Sequence, residues 1–174
     1  GTDALVVALD LSRSMDAEDI KPSRLIRARY KVADLLKKRR DGQTALLVFA
    51  GDAFTVTPLT DDTDTIASQL EALTTDIMPI QGSQADAALN LAVQLLQQAG
   101  LPKGEILLIT DGVETDAALQ FAKGLNDYRL SVLGVGTAEG APIALPNGGF
   151  LKDEQGAIVV PKLDEKALVR LAGK

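Results

Sequence analysis

The sequence predicts an α/β fold: a three-layer, doubly wound, Rossmann-like domain with a mostly parallel central sheet. Three observations lead there. Short apolar runs alternate with helical patterns along the whole chain. Two of those runs, Leu5-Val6-Val7-Ala8-Leu9 and Leu107-Leu108-Ile109-Thr110, show no polar alternation, as strands buried on both faces should. A third pair of runs is joined by only Ala50-Gly51-Asp52, a length suited to a hairpin and so to one antiparallel edge strand. With 174 residues, 46% hydrophobic and 24% charged, the chain suits a single domain spanning residues 1–174.

The elements follow in order. Ala4–Leu9 reads as the first buried strand, ending at Asp10. After a polar turn containing Pro22, residues 23–40 place Leu25, Ile26, Val32, Ala33, Leu35 and Leu36 at helical spacing. Residues 44–49 and 53–57 are the hairpin strands, the second expected to end at Pro58 on a sheet edge. Residues 63–73 are expected to form one short helix opened by Asp61 and Asp62. Residues 83–99 form a longer helix, with Ala88, Leu91, Ala92, Leu95, Leu96 and Ala99 on one side and Gly100 and Pro102 at its end. A strand over 105–110, a helix over 115–124 and a strand over 130–135 continue the alternation. Residues 140–161 break it: 150–152 and 158–160 flank Glu154-Gln155-Gly156 as an inserted hairpin. Residues 164–171 close with a helix.

Composition removes much chemistry. The chain has no Cys and no His, so thiolate nucleophiles, disulfides, zinc–thiolate sites and imidazole general bases are excluded. Any metal must be held by oxygen. No apolar run reaches the roughly 18–20 residues that span a bilayer. Residue 1 is glycine and strand-like sequence begins at once, so the chain is expected to be a piece of a longer protein.

Open α/β sheets collect ligands beyond the carboxyl ends of their strands. Asp10 and Asp111 both stand there. Asp10-Leu11-Ser12-Arg13-Ser14 adds two hydroxyls that a tight loop can turn the same way, and Gly82-Ser83 adds a third before the long helix. Two carboxylates and three hydroxyls are a hard donor set suited to Mg²⁺ or Mn²⁺, and less to Ca²⁺. Two Asp at most neutralise such an ion; where one acts only through water, the first shell keeps positive charge and a free position attracts an acidic oxygen of another molecule. Each piece also has a plainer reading. Ser12 and Ser14 suit a turn, Ser83 with Asp86 fits a capping box, and Asp111-Gly112 is a common turn pair. Three separate loops on one edge of the sheet favour the metal.

These segments resemble the metal-ion-dependent adhesion site of von Willebrand factor A domains. DLSRSM (residues 10–15) is similar to its first segment, Gly82-Ser83 with the Ala-rich helix to the second, and LLITDG (107–112) to the third. The resemblance implies a Mg²⁺ held by Asp10, Ser12, Ser14, Ser83 and Asp111, and bridged to a carboxylate of a protein partner. Ser83 departs from the Thr found in many members but keeps the hydroxyl. GVGTAEGAPI and GGFLKDEQGAIVVPKLDE resemble the bacterial Bat, aerotolerance-type branch. That branch implies tethering beside transmembrane helices on the extracytoplasmic (periplasmic) face, and the family implies coupling of ligand binding to the last helix.

The function expected is therefore a non-enzymatic, metal-dependent protein-binding module. A metal-assisted phosphohydrolase is the alternative. Against it, Ser12 stands where a second Asp would serve an aspartyl-phosphate mechanism, and no phosphate-binding glycine loop or nucleophile elbow is present. A scaffold with a purely structural ion is a third reading. Residues 21–40 hold nine Lys or Arg and one acid, whereas 41–90 hold eight acids and no base. A solvated helix face accounts for the first block, with a partner or anionic lipid as the alternative. Net charge −6 and only two Tyr and four Phe argue against nucleic acid. Asp16, Glu18 and Asp19 read as charges ahead of a helix rather than a second ion site. Phe150 reads equally as an exposed tip or a packed anchor.

Overall fold

The computed structural model describes residues 3–112 and 115–173; residues 1, 2, 113, 114 and 174 lie outside that description. Five strands form one sheet in the order β3-β2-β1-β4-β5. They are β1 (Ala4–Asp10), β2 (Gln43–Phe49), β3 (Ala53–Thr60), β4 (Gly104–Thr110) and β5 (Tyr128–Gly134). All neighbours are parallel except β2 and β3, which form the hairpin. The helices are α1 (Arg24–Lys38), α2 (Thr63–Ala67), α3 (Ala85–Gln98), α4 (Thr115–Lys123) and α5 (Glu165–Gly173). The α/β class, the parallel sheet and its one antiparallel edge are as the alternation requires.

The central strand divides the core by parity. Leu5, Val7 and Leu9 face α1, in a cluster with Leu25, Val32 and Leu36. Ala4, Val6 and Ala8 face α3, in a cluster with Ala88, Leu89, Ala92 and Leu96. Alanine on both sides of the second interface lets α3 approach the sheet closely. Helix α1 starts where Ser23, in an extended conformation, accepts a hydrogen bond from the Ile26 amide. The return to β2 requires Gly42: its φ is +95°, and a Cβ there would lie 2.2 Å from the Asp3 carbonyl oxygen.

Four expectations need correction. Pro58 does not end β3, which continues to Thr60. Thr44 pairs Thr60 and Leu46 pairs Thr57, so Pro58 and Leu59 together oppose Ala45 in a bulge, where a missing N–H is tolerated. Residues 63–73 are not one helix: α2 stops at Ala67 and a 3₁₀ turn follows over Leu70–Ala72. Helix α3 begins at Ala85 with Gln84 as its cap, so Ser83 and Asp86 form no capping box. The inserted hairpin is present as isolated bridges, Ala144 to Phe150 and Lys152 to Ile158, giving three short arms rather than two.

Several charged side chains of residues 21–40 serve as ties. Arg39 donates to Thr44 Oγ1, the Gln43 carbonyl and Asp3, and Arg29 donates to the carbonyls of Leu70, Glu71 and Leu73. Lys37 and Lys38 lie in the last turn of α1, where the helix dipole favours them.

Leu47 is fully buried in the α3-side cluster. Leu47→Ala is expected to lower unfolding free energy by about 2–5 kcal/mol in urea denaturation. A change below about 1 kcal/mol contradicts the packing described.

Candidate metal centre

The crossovers from β1 and from β4 leave on opposite faces, so the carboxyl ends of these neighbouring strands open a crevice. Asp10 ends β1 and Asp111 follows β4; both are buried. Leu9 pairs Ile109 in register, which sets Asp10 beside Thr110. Thr110 Oγ1 donates to Asp10 Oδ2 at 2.6 Å. The Ser12 amide donates to Asp10 Oδ1 at 2.8 Å, and the hydroxyls of Ser12 and Ser14 lie 3.0 Å apart. The first loop thus curls back over the carboxylate that begins it, with Leu11 N bonded to the Phe49 carbonyl of β2 at 2.8 Å. Asp10, Ser12 and Ser14 are joined by these bonds.

A residue not foreseen from sequence anchors Asp111. Arg24, the first residue of α1, is completely buried. Its Nη1 donates to Asp111 Oδ2 at 2.9 Å. Nε and Nη2 grip Asp19 at 2.7 and 2.6 Å, and Nη2 also donates to the Pro161 carbonyl at 2.7 Å. Asp19 Oδ2 in turn accepts from the Thr137 amide and hydroxyl at 2.9 and 2.8 Å. Gly136 is required beside the guanidinium: φ is +134°, and a Cβ would lie 3.0 Å from Arg24 Cζ. The acidic run after the first loop is therefore split among separate partners. Asp16 accepts from Thr75 Oγ1, Glu18 pairs Lys21, and Asp19 pairs Arg24.

Ser83 reaches the same edge by another route. The Gln84 amide donates to the Ala50 carbonyl at 2.8 Å, and the Gly51 amide to the Ile80 carbonyl at 2.8 Å. These two bonds staple the loop before α3 to the end of β2, the strand beside β1. Gly51 permits the contact, since a Cβ would lie 2.4 Å from the Gln81 carbonyl oxygen and from Ile80 Cγ2. Ser83 is half-buried and makes no cap to α3. Among the described residues its hydroxyl has no hydrogen bond to Asp10, Ser12, Ser14 or Asp111. One residue into α3, Asp86 Oδ1 is buried without a hydrogen-bond partner among the described residues.

The von Willebrand factor type A domain model matches residues 5–114. The chain belongs to that family. The A domain is similar to an aerotolerance-related membrane protein of Bacteroides fragilis, at 34% identity over 99% of this chain and 87% of that one, with a TM-score of 0.92. It is also similar to the conserved hypothetical protein BatB of Bacteroides thetaiotaomicron, at 34% identity over 99% and 86% of the two chains, with a TM-score of 0.87. These matches support the Bat branch. An uncharacterised protein of Borreliella burgdorferi is 28% identical over 143 residues, and the A domain spans 41% of its length. Domains of this family are generally protein-interaction modules. No helix among the described residues is long and apolar enough to cross a membrane.

The electrostatics of this A domain are those of an unbalanced acidic cluster. Burial, then the neighbouring Asp111, push the Asp10 carboxyl from 3.8 up to about 7, against the hydrogen bonds from Ser12 and Thr110. Asp19 moves the other way: its hydrogen bonds to Arg24 hold it well below the usual carboxylate range. Asp19 and Asp111 share the one Arg24 guanidinium, and Asp10 beside Asp111 has no cationic partner, so the cluster carries an acidic excess. That excess fits a divalent cation. Among the described residues no three carboxylates converge as a metal cage, so an ion held here would need hydroxyls, carbonyls or water to complete its shell.

Two outcomes follow. Arg24→Met leaves Asp19 and Asp111 buried without their cation and is expected to cost about 3–5 kcal/mol of stability by chemical denaturation; a loss below about 1 kcal/mol contradicts the network. The raised Asp10 group makes the folded state hold more protons than the unfolded state between 3.8 and about 7. Its contribution is then most favourable at low pH and is lost as pH climbs through that window. In chelator, the stability advantage of Asp10→Asn over wild type is therefore expected to grow from pH 5 to 8; a pH-independent difference refutes it.

Proposed function

We propose that the A domain is a metal-dependent binding module that captures an acidic side chain of a protein partner. The observation that carries this reading is the buried pair Asp10 and Asp111, whose repulsion a divalent cation would relieve. Mg²⁺ is the ion proposed, with Mn²⁺ or Ca²⁺ able to substitute, and Asp10, Ser12, Ser14, Ser83 and Asp111 are the residues that would hold it. Arg24 already donates to Asp111 Oδ2, so part of that carboxylate's charge is committed before a cation arrives. Charge donation to the ion is correspondingly limited, which favours an added carboxylate from outside. The ion, when bound, supplies a Lewis-acidic contact for that carboxylate.

A membrane-tethered position on the extracytoplasmic face of a bacterial cell belongs to the same proposal, supported by likeness to the aerotolerance-related membrane protein of Bacteroides fragilis. So does the absence of catalysis. A structural ion beneath a scaffold surface is separated from the proposal by the partner: in that case Asp111→Ala leaves partner affinity intact.

Thermal unfolding tests the ion. Mg²⁺ at about 100 times its dissociation constant is expected to add about 2.7 kcal/mol, and Asp111→Ala to remove the gain. An unmoved transition at millimolar Mg²⁺ sinks the proposal. Turnover of p-nitrophenyl phosphate that disappears in Asp10→Asn replaces it with the phosphohydrolase.

A further inference from the structure

We propose that Arg24 is a positioning residue that couples the cation site to the seat of the inserted hairpin, 140–161; this rests on the metal-dependent reading above. Arg24 makes a complete ion pair with Asp19 alone, two hydrogen bonds in a fork. The contacts to Asp111 and Pro161 are additional, and they run in different directions from one planar group. A guanidinium is rigid, so displacing one arm displaces the others. Asp19 grips it, itself held by the Thr137 amide and hydroxyl, and the Gly136 backbone packs closely against it.

Pro161 is where the hairpin leaves. Gly140, where it enters, lies against it: a Cβ on Gly140, whose φ is +71°, would stand 2.2 Å from the Pro161 carbonyl oxygen. The Leu163 amide donates to the Thr137 carbonyl at 2.9 Å, closing the base. Above the base, Leu151 N bonds to the Ile143 carbonyl and Val159 N to the Leu151 carbonyl, both at 2.9 Å. These bonds put Ile143, Leu151 and Val159 in one row across the three arms, with Ile143 buried. Phe150, Ile158 and Val160, their chain neighbours, are 43, 49 and 42% exposed on the outward side. The hairpin therefore has one row that includes the buried Ile143 and an outward face that carries Phe150, Lys152, Ile158 and Val160, and its base ends on the carbonyl that Arg24 holds. A cation drawing on Asp111 pulls on the same arginine that fixes Pro161.

Linkage makes the coupling reciprocal. Hydrogen exchange of the Leu151 and Val159 amides, measured with and without Mg²⁺, reads one direction. Mg²⁺ titration calorimetry of a variant carrying a short Gly/Ser linker in place of residues 144–158 reads the other. In wild type, saturating Mg²⁺ is expected to slow exchange at both amides by about 5-fold or more, and the shortened variant to bind Mg²⁺ more weakly by the same factor. Arg24→Lys keeps the charge but cannot hold Asp19, Asp111 and Pro161 at once, so Mg²⁺ binding is expected to persist without slowing exchange. If Mg²⁺ binds wild type while exchange stays unchanged, or binds the shortened variant undiminished, the coupling is overturned and the binding module stands. If Arg24→Lys retains the exchange effect, Arg24 is not the link. If wild type binds no Mg²⁺, the metal reading falls and the coupling with it.

Discussion

Two like charges are buried at the ends of neighbouring strands, and most of what surrounds them exists to make that tolerable. Asp10 ionises against its own burial and the neighbouring Asp111 carboxylate. Local hydrogen bonds supply part of it, from the Ser12 amide and the Thr110 hydroxyl on Asp10. Arg24 supplies another part on Asp111, but its charge is already matched by Asp19. The acidic excess is therefore a property of the fold, and it shows in the raised Asp10 carboxyl. A site that stores repulsion in this way gains more from a cation than a neutral cluster of hydroxyls would, since the ion removes a cost as well as making bonds.

The groups in question belong mostly to loops, yet the loops are fixed by the strands and helices beneath them. Leu11 is tied to Phe49, Gln84 to Ala50 and Gly51 to Ile80, so the end of β2 serves as a post to which the first loop and the loop before α3 are both fastened. Gly51 is needed at that post for space rather than for an unusual φ, since a methyl group would meet backbone. Arg24 plays the same part on the other side of β1, joining the third loop to the base of the hairpin. The three loops that carry Asp10, Ser83 and Asp111 are thereby fixed at one edge of the sheet.

The class of fold and the first loop were legible because their signals are local. Continuous apolar runs mark buried parallel strands, and Asp10, Ser12 and Ser14 lie within five consecutive residues. Arg24 was not legible. It is one of nine basic residues in a twenty-residue stretch, where a solvated helix face explains all of them equally well. Its partners Asp111 and Pro161 lie 87 and 137 positions away, and no pattern in a single sequence reports such distances. Ser83 and Asp86 have capping-box spacing, but α3 begins after Gln84, so the spacing describes a turn that does not form. Pro58 misled for a similar reason. Proline forbids one ladder bond, and the strand accommodates the loss by bulging rather than stopping. In each case the local rule holds and the tertiary setting decides its consequence.

That bulge also bears on how copies or partners can line up alongside the sheet. Along the edge strand β3 the ladder is interrupted at Pro58 and Leu59, where the strand bulges out of register. A foreign strand seeking to extend the ladder there meets a gap and a change of twist. The opposite margin, β5, has continuous parallel pairing with β4 over seven residues and no such interruption. The two flanks of the sheet thus differ in regularity: one is broken by its own proline, and the other runs straight.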